Sequence, residues 1–204
     1  YAWRGAKGAL KQHGFARNVP WEVAGKDARS VTLRLGSSDE IRLEYPWNFS
    51  AEYTYTLATN SLRIGMTFTN ESDSPMPFGA GFHPYFAVAQ ADKASARVET
   101  NATRAFDNVT KKTDALGPIA LTAKEVDLHL IDHTGDCTLR TKTHAIRLRG
   151  SPEFSRWVVW TLAGKDFVCV EPWTCPGNAL NTGESLIVLE RGARRTMWVE
   201  YALV

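Results

Sequence analysis

At 204 residues the chain is long enough for one sizeable domain with its own core and too short to suggest two. Hydrophobic residues at 44% and charged residues at 23% exclude wholesale disorder, a collagenous repeat and a coiled-coil rod. Twenty-four Lys and Arg against 22 Asp and Glu leave a formal charge of +2, with no basic run to grip a phosphate backbone, so nucleic acid is not an expected partner.

In chain order, strand signals dominate. The alternating runs at residues 31–35 and 41–45 flank a polar stretch at 36–40 and predict a hairpin. Residues 51–57 and 62–69, joined by the polar turn at 58–61, predict a second. The stretch 87–124 is the least regular and is expected to hold long loops. Beyond it, strands are predicted at 137–141, 145–149, 157–162, 167–170, 185–189 and 196–201. No stretch of a dozen residues carries helical apolar spacing, which argues against crossover helices and a parallel sheet. The expectation is an all-β, antiparallel β-sandwich forming a single domain over 1–204, without internal repeats or linkers.

Nothing approaches the ~18 consecutive apolar residues of a membrane span, and Tyr1-Ala2-Trp3-Arg4 does not read as a secretory signal. A cytoplasmic location is therefore expected, with no membrane partner. Cys137, Cys169 and Cys175 are an odd number without metal-ligand spacing, and Cys169, inside the run Phe167-Val168-Cys169-Val170, reads as core filler.

Three segments exceed ordinary strand grammar. His13-Gly14-Phe15-Ala16-Arg17, followed by Pro20-Trp21, concentrates a titratable group, a fixed cation and an aromatic plate, the equipment of a polar ligand site. A loop in which His13 caps carbonyls and Trp21 is core is the alternative. In Gly79-Ala80-Gly81-Phe82-His83-Pro84-Tyr85-Phe86, a stiff turn holds an imidazole suited to proton transfer near neutrality, or a structural histidine. In Val170-Glu171-Pro172-Trp173, a carboxylate ends an apolar strand where desolvation raises its pKa, and the adjacent Trp173 suits the apolar face of a sugar ring; a solvated strand-end Glu is the bland reading.

Taken together and in this order, the three segments resemble the signature regions of the aldose 1-epimerase (mutarotase) family, from about residue 8 onward. The His13-Gly-Phe-Ala-Arg17 segment is similar to the glucose-6-phosphate 1-epimerase branch. The resemblance implies a large antiparallel β-sandwich and a cofactor-free, metal-free isomerase acting on a hexose or hexose phosphate. It implies Glu171 as base on the C1 hydroxyl, His83 as acid on the ring oxygen, and His13 as a second sugar-binding histidine. Trp173 then lines the sugar site, as Trp21 would if it is not core, and Arg17 binds a hydroxyl or part of a phosphate. For the family's active-site aspartate the match is Asp132, in Leu130-Ile131-Asp132-His133, with Asp127 second.

Only 12 residues precede His13, whereas the family carries several strands and an arginine ahead of its His-Gly motif. Those strands lie outside this sequence or are missing from the protein, and the second case favours a non-catalytic carbohydrate-binding protein. A glycoside hydrolase, which needs two carboxylates about the scissile bond, ranks last because only Glu171 presents itself.

Overall fold

The alternating runs become strands almost throughout, paired antiparallel, in a computed structural model that describes residues 1–204. Two units make up the chain: Tyr1–Gly79 with Cys175–Trp198, and Ala80–Thr174 with Val199–Val204. The first begins with the short pair β1 (Ala2–Trp3) and β2 (Ala6–Lys7). It continues through the antiparallel ladder β3 (Glu22–Lys26), β4 (Ser30–Gly36), β5 (Phe49–Leu57) and β6 (Ser61–Asn70), then β7 (Met76–Phe78). The hairpin expected over 51–69 is β5–β6, in register from Phe49 opposite Asn70 to Leu57 opposite Leu62.

The other expected hairpin does not form. Residues 41–45 fall in a short helix, α1 (Asp39–Glu44), and its C-cap Tyr45, and β4 pairs with β5 instead. Ser38 caps the helix by accepting a hydrogen bond from the Ile41 N–H at 3.2 Å, while Asp39 and Glu40 put negative charge beside the unpaired N–H groups of the first turn. Over so few residues an alternating pattern and a single helical turn look alike, and the cap decides. Behind this ladder, Tyr45 donates to the Pro77 carbonyl at 2.7 Å and its ring packs on Trp47, Phe49 and Phe15.

In the second unit β8 (Tyr85–Ala87), β9 (Arg97–Thr100), β10 (Arg104–Asp107) and β11 (Lys112–Ala115) precede β12 (Glu125–Leu130), β13 (Cys137–Arg140), β14 (Ala145–Gly150), β15 (Arg156–Leu162) and β16 (Phe167–Trp173). The long loops expected over 87–124 are thus broken by three four-residue strands, too short to register as periodic. Asp107 turns β10 toward β11 by accepting from the Val109 and Thr110 N–H groups. Six strands form one sheet in the order β11-β10-β12-β15-β16-β8. One of its faces carries Val126, Leu130, Trp157, Val159, Val168 and Val170, all buried, each apolar side chain worth about 1.5–3 kcal/mol of transfer free energy. Along the same face Lys93 is buried, donating to the Thr161 hydroxyl and the Leu162 carbonyl.

The chain then rejoins the first unit through α2 (Ala179–Thr182) and β17 (Ile187–Leu189), which pairs with β7. Buried Asn70 ties these segments by donating to the carbonyls of Ser74 and Leu189, each at 2.9 Å. The last strand, β18 (Arg194–Leu203), contributes residues through Trp198 to the first unit and from Val199 to the second, where it pairs with β14. No helix is long and apolar enough to cross a membrane.

Candidate active site

Strand alternation sorts β16 into two sets: Val168, Val170 and Pro172 toward the apolar face, and Phe167, Cys169, Glu171 and Trp173 toward the other. On the adjacent edge, Tyr85 pairs with Cys169 and Gly81 bridges to Trp173. The same register, carried between those two points, puts His83 across from Glu171. Gly81 is required for this approach, since a Cβ there would lie 2.7 Å from the Pro172 carbonyl oxygen. The fold therefore brings a carboxyl from β16 and an imidazole from the segment leading into β8 into one register.

In that register His83 Nε2 lies 3.4 Å from Glu171 Oε1. Glu171 is 1% exposed, and its other oxygen, Oε2, accepts a hydrogen bond from the Trp173 indole N–H at 2.9 Å. Burial pushes the Glu171 carboxyl up to about 8; the Trp173 hydrogen bond pulls against this and the negative charge of Asp127 adds to it. The imidazole of His83 stacks on Tyr85, centroids 4.9 Å apart, and meets the edge of Trp160 at 5.5 Å. Tyr85 is itself exposed, so the pair sits beside an aromatic wall open to solvent. Ligand atoms of His83, Cys169 and Glu171 all lie within 4.8 Å of one another.

A second acid–histidine pair stands two strands away on the same face. Asp127 opposes Trp160, and His129 opposes Val158, which in turn opposes Glu171. His129 Nε2 lies 3.6 Å from Asp127 Oδ1, and its ring is boxed between the edges of Phe106 and Trp173. Burial works to raise the Asp127 carboxyl, but hydrogen bonds from His129 and Asn108 outweigh it and hold the group below the usual carboxylate range. No motif singles out His129; the signal for it is the alternation of Glu125-Val-Asp-Leu-His-Leu130, which puts Asp127 and His129 on one side and the buried Val126 and Leu130 on the other.

The remaining candidates are placed as follows. Asp132 is exposed beyond the end of β12, where its carboxylate accepts from the Thr103 hydroxyl and from the N–H groups of Thr103 and Arg104. The structure gives it the work of a loop clamp, whereas Asp127 is the aspartate whose charge reaches Glu171. His13 and Arg17 belong to the first unit. His13 adopts a left-handed backbone (φ 67°), followed by Gly14 in the same region, and desolvation followed by the charge of Arg17 holds its imidazole below the ordinary value. Arg17 lies in a single 3₁₀ turn, Ala16–Asn18. The Trp21 indole donates to the Ala16 carbonyl at 2.8 Å and its ring packs on Tyr53 at 4.8 Å, contacts that serve the local core.

The family model described as aldose 1-epimerase matches residues 1–202. Among curated proteins the chain is similar to YihR of Escherichia coli K12, an uncharacterized protein: 28% identical, covering 88% of this chain and 63% of that one. The chain spans about three fifths of the length of the curated relatives it matches. Among solved structures it is similar to the Slr1438 protein of Synechocystis sp. PCC 6803, with a TM-score of 0.95 at 34% identity over 100% of this chain and 72% of the other. A galactose mutarotase related enzyme of Lactobacillus acidophilus shares the fold, with a TM-score of 0.83 at 22% identity, covering 100% of this chain and 77% of that one. The antiparallel β-sandwich class expected from the strand pattern, the ordered His-Gly, His-Pro and Glu-Pro-Trp segments and the family match agree: this chain belongs to the aldose 1-epimerase family.

Proposed function

We propose that the chain carries the proton-transfer centre of an aldose 1-epimerase that interconverts the α and β anomers of a hexose or hexose phosphate, with Glu171 as base and His83 as acid. One observation carries the reading: a carboxyl and an imidazole 3.4 Å apart, the carboxyl buried and held by an indole, the imidazole reaching toward an open aromatic wall. In the working form the pair holds one proton, on His83. Glu171 takes the proton of the C1 hydroxyl, the C1=O bond forms as the C1–O5 bond breaks, and O5 receives the proton of His83. After rotation about C1–C2 the same transfers run backward onto the opposite face of the carbonyl, and the pair ends as it began. No electron or group leaves the sugar, so two groups of opposite protonation state are sufficient for the chemistry.

Trp173 supports this reading twice over, as the hydrogen-bond donor to the base and as an aromatic surface beside it. We assign the second acidic role to Asp127 on the strength of its shared face with Glu171 and its charge, in place of Asp132. Polarimetry of freshly dissolved α-D-glucose and α-D-galactose, and exchange spectroscopy of glucose 6-phosphate, test the reading and separate the substrates. Glu171→Gln and His83→Asn should each lower kcat by ~10²–10⁴-fold while sugar still perturbs tryptophan emission. If the parent accelerates none of these sugars yet binds one, the protein is a carbohydrate-binding module; full activity in Glu171→Gln would move the base elsewhere.

A further inference from the structure

Cys169 takes no part in the proton transfers proposed above, yet it is fully buried, two residues from Glu171 on the same strand face and directly across from Tyr85. Its thiol, one imidazole nitrogen of His83 and one carboxylate oxygen of Glu171 converge within 4.8 Å. A thiol, an imidazole and a carboxylate are the donor types that bind zinc, at about 2.3 Å for sulfur and about 2.0–2.2 Å for nitrogen and oxygen. Three such donors around a tetrahedral ion sit roughly 3–4 Å apart, and the His83–Glu171 separation of 3.4 Å already falls in that range, so the set closes with small side-chain adjustments. Glu171 and Cys169 come from one continuous strand and His83 from the segment between the Gly81 bridge and β8, so two of three ligands are fixed by the ladder itself.

We propose that His83, Cys169 and Glu171 form a three-ligand site for a thiophilic divalent cation of the zinc class, whose occupancy blocks the face on which the sugar would react. Binding displaces two protons to solvent, the thiol proton of Cys169 and the one held by the His83–Glu171 pair, and involves no redox change. A metal there consumes both the base and the acid, so the ion acts as an inhibitor and competes with sugar. This second consequence rests on the epimerase reading; the site itself does not.

Cobalt(II) serves as the probe, because it occupies zinc sites and reports its ligands by colour. Added to the metal-free protein, it should give a thiolate-to-metal charge-transfer band in the near ultraviolet with intense visible bands of a four-coordinate ion. Cys169→Ser and Cys169→Ala should abolish the charge-transfer band, while Cys175→Ser, which removes the half-buried thiol, should keep it. Absence of the band in the parent, or its survival in both Cys169 variants, overturns the site whatever the protein's activity. In mutarotation assays zinc should inhibit reversibly by chelator, and Cys169→Ser should retain activity while needing at least about 10–100-fold more zinc, the loss that even an outer-shell partner produces. Equal zinc sensitivity in parent and variant overturns the inhibitory role, and an intact cobalt spectrum in a protein without mutarotase activity would discard the epimerase reading alone.

Discussion

Replacing Trp173 by Phe isolates the hydrogen bond that steadies the proposed base. The indole N–H donates at 2.9 Å to a carboxylate that is 1% exposed, and the ring also packs edge-on to His129. Phenylalanine keeps an aromatic ring and removes the donor. A hydrogen bond to a charged group is worth about 1.5–3 kcal/mol, and 1.36 kcal/mol corresponds to one pKa unit, so the Glu171 carboxyl should rise by a further ~1–2 from about 8. The working form needs the carboxylate ionised while His83 holds the proton; its population therefore falls by about 10–100-fold, and kcat at the pH optimum with it. The limb of the pH profile that reports the carboxyl should move to higher pH by the same amount. Polarimetric rates from pH 5 to 10 measure both effects. A Trp173→Phe protein with an unmoved limb and a plateau within about twofold of the parent would refute the argument that this indole tunes the base.

Asp127→Asn should move the same limb the other way, to lower pH, because the Asp127 charge raises the Glu171 carboxyl; an upward movement in the pH–rate profile would contradict the electrostatics. Glu171 lies well above its unfolded value of 4.5, so the native state binds the extra proton and stability on this account is complete below about pH 4.5 and lost as pH rises through about 8. Glu171→Gln removes that loss, about 5 kcal/mol at full ionisation, and in urea titrations should gain on the parent at pH 9 relative to pH 5. Equal gains at the two pH values would mean the carboxyl ionises freely in the fold. Asp132→Ala should lower stability only slightly, because the three donors it serves lie on an exposed turn where water replaces it, and should leave mutarotation within about twofold; a tenfold loss of rate would return Asp132 to the site.

What could be read from the sequence followed the range of the interactions. The β5–β6 hairpin was legible because two long alternating runs and a polar turn agree locally, and the turn fixes the register. The helix at Asp39–Glu44 was not, because its deciding feature is one capping bond from Ser38 rather than a period. Glu171 and His83 each stood out from their neighbours, but nothing local says that they face each other. That depends on pairing between residues nearly ninety positions apart and on the Gly81 contact that permits it. The proposed choice of Asp127 over Asp132 rests on parity. Asp127 alternates with buried Val126 inside a strand and so points to the opposite face, whereas Asp132 falls past the strand's end and is spent on a turn.

The split membership of β18 bears on how such a chain is made. During synthesis Tyr1–Gly79 leave the ribosome long before Cys175–Trp198, so Asn70 waits for the Leu189 carbonyl and β7 for β17. Most of the second unit is delivered as one block, Ala80–Thr174, with only Val199–Val204 to follow, and its six-stranded sheet, which carries Glu171, can assemble in a single pass. The first unit emerges earlier and closes later. Until residues 175–198 arrive, its ladder ends in an unpaired edge with apolar side chains exposed, the kind of nascent surface that recruits holding chaperones or finds a neighbouring polysome partner. Rare codons or pauses placed after residue 79 would prolong that interval, and pauses after residue 198 would not.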